Sequence, residues 1–558
     1  MPNYVEKEYA PLLDQTGQDM ASNLTRIADQ MTSPKRLDAE YGAKVTKENI
    51  DNMFVEWWML ADDGSYTKTQ LLERWFNLLK DDKIFGSKVY NFEDSATSDG
   101  ELTDYSVNLG VCVPSTETDY GKDNFCKEKA FWTVEVNYEF DANGETVITA
   151  VDNIHDEYSR EGIVGMVGVA QKSAYFREYN DGTFQHLKYS LKKRAKYKLL
   201  PEAKKPKTNE KRAFVVHSKY GGGLDKNGIP TSATGLAPLN YNYSYGGAID
   251  LGKKRGLKYF GMASCDNKFR EMMFRLKYAK KGNSSTMAGC NNYYVTERPT
   301  LGETDVTRIL LTKAQSDKFV VGSWVSVGTA DRSSNNILKA VQIKTIKAVQ
   351  VESQEYYAVY LDTETLISPT TEWYIATIPW GSGSCDNVLG VDGSPNNTNG
   401  KYPYIIQGLE TQTGGWMIFA DTIIQMTYEN GVSTCQPYVY KNPLNVKTSI
   451  DSTAIAQTPF SAKQEKPNWI YVKDGNYEGD LTTPKDLSSG ASSTTGCQCA
   501  AYLPCDAGLR EWLAWGTLDA GSPCGLLCVN ANAGLWTASW YIVGGAPGSG
   551  HSRGEWND

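Results

Sequence analysis

The spacing of apolar residues predicts a helical start to the chain. Leu72, Trp75, Phe76 and Leu79 recur at the i, i+3, i+4, i+7 spacing of one helix face. An aromatic-rich apolar cluster at residues 53–58 precedes them. So much apolar surface must be covered by the rest of the chain or by another subunit. We therefore expect a helical N-terminal region over residues 1–86.

The pattern then changes to the two-residue period of β-strands. Apolar and polar residues alternate over 132–138, residues 141–144 have a turn composition, and 147–151 is rich in residues typical of strands. This predicts a β-rich domain over residues 87–205, which we interpret as an attachment or oligomerisation module.

The stretch from Lys188 to Arg212 is locally basic and contains Pro201 and Pro206. A run of lysines broken by prolines is typical of solvated chain, so we interpret it as a linker or sheet edge. A docking surface is the alternative.

The C-terminal three fifths of the chain contains both the helical spacing of apolar residues and the two-residue alternation of strands. An amphipathic helix is predicted over Phe269–Tyr278, and strict alternation appears in 320–327, 337–351 and 356–361. The alternating block predicts a small β subdomain over 305–380, inserted into a domain that spans 206–558. Two low-complexity stretches indicate loops: Gly381–Gly400 and Leu487–Thr495.

Length and composition limit the possible classes of protein. A chain of 558 residues exceeds one hydrophobic core, so two or three domains are expected. With 40% hydrophobic and 22% charged residues, the composition predicts a folded, loop-rich protein. The net charge of −9 gives no general attraction for nucleic acid.

Neither a secretory signal nor an apolar stretch able to cross a membrane is visible, so we expect synthesis in a cytoplasm and no membrane insertion.

Cysteine and histidine usage gives no catalytic or metal-binding signature. The 11 cysteines form no paired CxxC arrangement, and buried free thiols are the simplest interpretation. The four histidines, at positions 155, 186, 217 and 551, show neither triad nor zinc spacing. We therefore expect no catalytic residues, no metal and no cofactor.

Four segments, taken in order, resemble the C-type lectin fold of phage proteins that retroelements diversify, a fold shared with formylglycine-generating enzymes. The segments are Phe269–Cys290 (FREMMFRLKYAKKGNSSTMAGC), Tyr402–Asp421 (YPYIIQGLETQTGGWMIFAD), Leu509–Gly516 (LREWLAWG) and Gly521–Gly545 (GSPCGLLCVNANAGLWTASWYIVGG). The last two resemble the strand that leads into the family's variable region and the variable region itself.

The composition of the last segment is consistent with this resemblance. Between Gly516 and Arg553 there is no Lys, Glu, Gln or Met, although these residues are common elsewhere in the chain. The family's mutagenesis acts on adenines, often in Asn codons, which cannot become codons for those four residues when only adenine changes. Trp536 cannot arise in this way, so its template codon differs or the residue is fixed.

The resemblance implies an α+β, multidomain chain that ends in a C-type-lectin-like domain, with a variable ligand-binding region at 509–553. Apolar anchors (Leu513, Trp515, Leu526, Cys528, Val529, Trp540 and Ile542) are expected to be buried, and small polar residues between them to form an adaptable surface. The predicted ligand-binding residues are Thr517, Asp519, Ala520, Pro523, Asn530, Asn532, Ala533, Trp536, Thr537, Ser539, Tyr541 and Val543.

The implied function is a viral structural protein at the phage tail tip that binds a protein or glycan receptor on the bacterial surface. Its other expected partners are tail or baseplate proteins and further copies of itself in a homotrimer, and its location is the virion. The alternatives are a tail-associated glycan depolymerase and a cellular lectin-like display protein.

The chain lacks the motifs on which the enzymatic and the calcium-dependent members of this fold depend. Cys524 and Cys528 are the nearest match to the cysteine pair of formylglycine-generating enzymes, but no base stands beside them. A calcium-dependent lectin needs a Glu-Pro-Asn or Gln-Pro-Asp motif, whereas this chain has Gln436-Pro437-Tyr438. For a depolymerase, Glu410 and Asp421 are the candidate acid pair, although a structural role for Glu410 is the simpler expectation.

Overall fold

The computed structural model describes residues 34–46, 49–205, 208, 210–239, 244–256, 259, 261–333, 335–488, 496–518, 526, 528–531 and 542–543. The chain divides into two compact units, Met1–Lys80 and Asp81–Asp558. Within the described residues, strands are far more extensive than helices. The predicted multidomain α+β class is therefore confirmed, and the protein is rich in strands.

The described part of the first unit consists of three helices, α1 (Pro34–Lys44), α2 (Ile50–Ala61) and α3 (Lys68–Leu78). The α3 N-terminus is closed by a capping box, in which Thr67 Oγ1 accepts from Gln70 N at 3.2 Å. The predicted apolar face is confirmed, because Leu72, Trp75 and Phe76 are fully buried.

The second unit begins with two antiparallel sheets. Their strands are β1 (Phe85–Tyr90), β2 (Gly100–Asp104), β3 (Thr133–Phe140), β4 (Thr146–Val151), β5 (Met166–Lys172), β6 (Tyr175–Asn180), β7 (Phe184–Ser190), β8 (Lys198–Leu199) and β9 (Phe214–Ser218). One sheet has the order β2-β1-β7-β6-β8 and the other β4-β3-β5-β9. The strands predicted at 132–138 and 147–151 are confirmed as β3 and β4.

The basic stretch Lys188–Arg212 is part of these sheets. It contains the end of β7 and the edge strand β8, and Leu200, Ala203 and Arg212 are buried. The edge interpretation is confirmed for β8, whereas a solvated linker is wrong for the buried residues. Since β9 pairs with β5, the boundary predicted at 205/206 falls inside the second unit.

A short hairpin and two helices follow: β10 (Gly223–Leu224), β11 (Pro230–Thr231), α4 (Tyr245–Lys253) and α5 (Ser264–Tyr278). All 15 residues of α5 are buried. The prediction of an amphipathic helix is therefore wrong, since α5 has no solvent-facing side. The prediction failed because the polar residues of α5 are matched by polar partners inside the protein.

Those partners come from distant parts of the chain. Lys268 Nζ lies 2.7 Å from Glu178 Oε2, and Lys277 Nζ lies 2.8 Å from Asp123 Oδ2 and 3.1 Å from Asp392. At the helix start, Ser264 N donates to Asp421 Oδ1 at 2.9 Å. Buried charges are tolerated only when they are paired in this way.

The next block forms a sheet of its own. Its elements are β12 (Thr296–Glu297), β13 (Arg308–Leu311), α6 (Lys313–Ser316), β14 (Trp324–Gly328), β15 (Leu338–Val351), β16 (Gln354–Leu361) and β17 (Tyr374–Thr377). The sheet has the order β12-β17-β14-β15-β16-β13, and a bridge between Leu301 and Leu310 links its two edges. The alternation predicted over 320–361 is confirmed by β14, β15 and β16.

The region 381–400 contains no helix or strand, as its composition predicts. Beyond it lie β18 (Tyr404–Ile406), β19 (Leu409–Thr411), β20 (Trp416–Glu429), β21 (Val432–Tyr440), β22 (Ala454–Ala456), β23 (Phe460–Lys463), β24 (Asn468–Asn476), β25 (Thr483–Ser488), β26 (Cys499–Leu503), β27 (Gly508–Ala514), β28 (Val529–Asn530) and β29 (Ile542–Val543). Except for the β18–β19 hairpin, these strands form a ten-stranded sheet with the path β22-β21-β20-β27-β28-β26-β24-β25, in which β23 also pairs with β21 and β29 with β20.

Two cores position the C-terminal segment. The first joins α4 to the large sheet through residues such as Ile249, Ile418 and Trp512. The second surrounds α5 and contains Phe269 and, from the far end of the chain, Leu526. Val529 in the first core and Leu526 in the second thus place part of the C-terminal segment in the interior of the second unit.

Candidate functional site

The structure describes three of the twelve predicted ligand-binding residues. Thr517 and Asn530 are half-buried, and the backbone of Val543 lies in β29. The other nine predictions lie outside the described residues: Asp519, Ala520, Pro523, Asn532, Ala533, Trp536, Thr537, Ser539 and Tyr541.

Strand pairing brings Asn530 and Val543 to the same end of the large sheet. Asn530 in β28 lies beside Leu513 in β27, and Val543 in β29 lies beside Met417 in β20. Because Met417 pairs with Ala514, the neighbour of Leu513, the order across this end is β29-β20-β27-β28. Neighbouring strands are about 4.8 Å apart, so the two backbones are roughly 14 Å apart.

The predicted apolar anchors are buried wherever the structure describes their side chains. Leu513, Trp515, Leu526, Cys528 and Val529 are between 0% and 6% exposed, which confirms this part of the pattern. Trp540 and the side chain of Ile542 lie outside the described residues. The framework of the C-terminal segment is therefore part of the protein core.

Two asparagines outside the segment hold the backbone of Leu526 on both sides. Asn283 Oδ1 accepts from Leu526 N at 3.1 Å, and Asn267 Nδ2 donates to Leu526 O at 3.0 Å. Both amides are buried, where a hydrogen bond is costly to break. We call these two side chains the asparagine clamp.

Leu518, the residue before the stretch 519–525, is also held by contacts with other parts of the chain. Leu518 is 1% exposed and packs with Cys290, Tyr293 and Trp380. Its carbonyl accepts from Tyr293 N at 2.8 Å. The segment 519–525 thus lies between two buried leucines whose backbones are bound by groups that belong to other parts of the chain.

Trp515, just before this segment, has a backbone conformation that bulky residues rarely adopt. Its φ is +74°, in the left-handed region. The indole Nε1 donates to Asn267 Oδ1 at 2.9 Å, and the Arg270 guanidinium lies 5.7 Å from the ring centroid. Such strain persists only where surrounding contacts determine the conformation, as they do here.

Sequence reasoning missed Asn267, Asn283 and Tyr293. Each partner is more than 200 positions away. Asn267 lies just before the predicted helix Phe269–Tyr278, and Asn283 lies in the polar turn after it, where an Asn is expected to face solvent.

Glu410 and Asp421, the candidate acid pair of a depolymerase, are buried and bonded to other parts of the protein. Glu410 and Asp421 are each 1% exposed. Asp421 accepts from the start of α5, where a carboxylate is favoured by the helix dipole. Glu410 accepts from Ser384 Oγ at 2.8 Å, and burial together with the Asp386 carboxylate raises the pKa of Glu410 to about 7. Neither side chain is open to a polysaccharide.

A charged network lies next to Glu410. Glu135 contacts Lys219 at 2.6 Å and Arg160 at 2.9 Å, and Asp386 accepts from Tyr220 at 2.8 Å. Burial raises the pKa of Glu135, but Lys219 and Arg160 outweigh burial and hold it at about 2. The network joins β3 and the end of β9 to the loop at 381–400, so its contacts account for the position of that loop.

The described cysteines and histidines do not cluster into a metal-binding site. Eight of the ten described cysteines are buried, as the simplest interpretation of the sequence predicts. Cys524 lies outside the described residues. His217 lies in the interior between two carboxylates, with its Nδ1 2.7 Å from Asp266 and its Nε2 3.8 Å from Glu202. Within the described ranges, no group of three or more His, Cys, Asp or Glu could hold a metal ion.

No protein-family model matches the chain, and no curated protein matches it. In the part of the chain that the structure describes, no helix combines the length and apolar character needed to span a membrane.

Proposed function

We propose that this chain is the receptor-binding protein of a phage tail and that its C-terminal segment, residues 509–553, is a variable ligand-binding face. The observation that carries the proposal is the way in which the chain is held on either side of residues 519–525. Leu518 is bound by Tyr293, and Leu526 is bound by the asparagine clamp. All of these bonds involve the backbone of the segment, not its side chains.

This arrangement suits a surface whose sequence changes. A substitution between residues 518 and 526 leaves the bonds at both ends intact, because their donors and acceptors are backbone groups and distant side chains. Surface substitutions away from such contacts usually change stability by less than about 0.5 kcal/mol. Many ligand-facing sequences are therefore compatible with one fold.

The proposal assigns the remaining regions by the resemblance described above. A C-type-lectin-like domain spans residues 206–558, the regions before it attach the protein to the tail and baseplate, and the assembly is a homotrimer in the virion. Three copies engaging one cell surface raise the effective affinity, so each face needs only weak contacts with its protein or glycan receptor.

The test is adsorption of the purified protein to a panel of bacterial strains. A face variant substitutes Asp519, Asn530, Asn532 and Tyr541 together. The matched control substitutes the same residue types at exposed positions far from the segment in sequence: Asn52, Asp119, Tyr120 and Asn143. We expect the face variant to keep its thermal midpoint and to lose or change the strains it binds, whereas the control binds as the parent does.

Two outcomes would overturn the proposal. If the face variant and the parent bind the same strains equally, the receptor contacts lie elsewhere, for example on the sheet of β12–β17. If the face variant unfolds while the control does not, the substituted residues are core residues and the segment cannot tolerate variation.

A further inference from the structure

A cleft of about 700 Å³ lies in the second unit, on elements other than the C-terminal segment. The glycine-rich segment Glu161–Gly165, which leads into β5, lines it. The β10–β11 hairpin and Arg255, which follows α4, also line it. This volume is in the range of small-molecule sites, roughly 300–1,000 Å³.

The polar groups of the cleft are fixed before any ligand binds. Arg255 forms an ion pair with Glu139, and its Nη1 donates to Pro230 O at 3.1 Å. Glu139 also accepts from Tyr259 OH at 2.8 Å. A guanidinium held in place in this way presents its donors to a ligand at low entropic cost.

The lining of the cleft carries three carboxylates, Glu139, Glu161 and Asp225, and two cations, Lys226 and Arg255. Glu139 is paired with Arg255, and Asp225 accepts from Asn227 N at 2.8 Å and Ile229 N at 2.9 Å within its own turn. The exposed Glu161 and Lys226 have opposite signs. The lining therefore has a small excess of negative charge that disfavours anionic ligands, whereas neutral hydroxyl groups find both donors and acceptors.

Apolar surface lies between these polar groups. Ala233, Leu236 and Val164 line the cleft, and the side chain of Ile163 is 74% exposed at its rim. Sugar rings present apolar C–H faces as well as hydroxyl groups, so they match a surface on which aliphatic side chains alternate with fixed polar groups.

From these features we propose that the cleft binds a neutral oligosaccharide, with Arg255 and Glu139 bonding its hydroxyl groups and Ile163 packing against a ring face. This is a second site, independent of the proposed C-terminal face. On a protein that attaches to cells it would hold a surface glycan while the variable face engages its receptor.

The test is binding of the full chain to an array of immobilised tri- and tetrasaccharides: neutral glucans, galactans and chitotriose, with sialylated and sulfated sugars as anionic comparators. The variants are I163A and R255K, and the matched control is I337A, since Ile337 is also exposed, at 53%, but lies outside the cleft. R255K keeps the positive charge and removes the planar set of donors.

We expect saturable binding to at least one neutral sugar, weakened about tenfold or more by I163A and by R255K and unchanged in I337A. Ile163 is largely exposed, so I163A tests the cleft even if R255K fails to fold. The proposal is overturned if no neutral sugar binds, if only anionic sugars bind, or if I163A binds as I337A does.

The two proposals can fail separately. The face variant of the adsorption test must retain oligosaccharide binding if the cleft is an independent site. Loss of binding in that variant, with its thermal midpoint unchanged, would place the sugar at the C-terminal face and overturn the assignment to the cleft.

Discussion

The indole Nε1 of Trp515 donates to the Oδ1 of Asn267 at 2.9 Å, and both side chains are buried. The other end of the same amide, Nδ2, donates to Leu526 O at 3.0 Å. One side chain of α5 therefore holds the C-terminal segment at two points, on either side of residues 516–525.

Replacement of Asn267 by alanine should destabilise the second unit strongly. It leaves the Trp515 N–H and the Leu526 carbonyl without this partner in the interior, and each such loss costs about 1–3 kcal/mol. We expect a loss on the order of 3 kcal/mol in the free energy of unfolding, measured by urea denaturation. N143A is the surface control and should change stability by less than about 0.5 kcal/mol. A loss below about 1 kcal/mol for N267A would contradict the role given to this amide.

Replacement of Asn283 by alanine should loosen the segment without unfolding the protein. Asn283 Oδ1 accepts from the Leu526 amide, so its removal exposes that N–H to exchange. We expect hydrogen exchange of peptides covering residues 518–528 to accelerate by about tenfold or more, with β20 and β21 unaffected. The control is N476A, which removes a side-chain bond between β24 and β25. Equal acceleration in N476A would show that the effect is not specific to the clamp.

The stability of the second unit should fall as pH rises from about 5 to 8. The pKa of Glu410 is about 7 in the folded protein, because the side chain is buried and Asp386 lies nearby. Unfolding lowers this pKa to about 4.3, so the folded state binds more protons between the two values. The stabilisation is fully present below about pH 4 and is lost as pH rises through 7.

The variant E410Q tests this dependence, since glutamine mimics the protonated carboxyl group. Thermal midpoints measured from pH 5 to 8 should fall less steeply in E410Q than in the parent. Some slope will remain, because burial also raises the pKa of Glu271 to about 7 and that of Asp392 to about 6. Identical slopes in parent and E410Q would show that Glu410 does not titrate in this range.

Replacement of Lys277 by methionine should be among the most damaging single changes in α5. The side chain is fully buried and its Nζ contacts Asp123 at 2.8 Å and Asp392 at 3.1 Å. Removal of one partner from a buried ion pair typically costs 3–5 kcal/mol. We expect a loss of about that size in chemical denaturation.

The double variant K277M/D392N provides the control for that measurement. Removal of one of the two negative charges should recover part of the stability lost in K277M, because less uncompensated charge stays buried. If the double variant is no more stable than K277M, the loss arises from packing and the electrostatic explanation fails.

Much of the backbone was predictable because local periodicity encodes it. The spacing of Leu72, Trp75 and Phe76 predicted α3, and alternation predicted the strands of the β12–β17 sheet. The anchors Leu513 and Val529 were predicted to be buried, since large apolar side chains are usually removed from water in a folded protein.

The sequence by itself determined where helices and strands form and which apolar side chains lie inside, because those properties depend on residues within a few positions of each other. Only the tertiary structure decided that α5 is buried on every side, that Glu178 and Asp392 neutralise its lysines, and that Asn267 and Asn283 clamp Leu526. These contacts join residues tens to hundreds of positions apart. A polar residue carries no local mark of its partner, so its burial is settled only when the folded chain brings the two together.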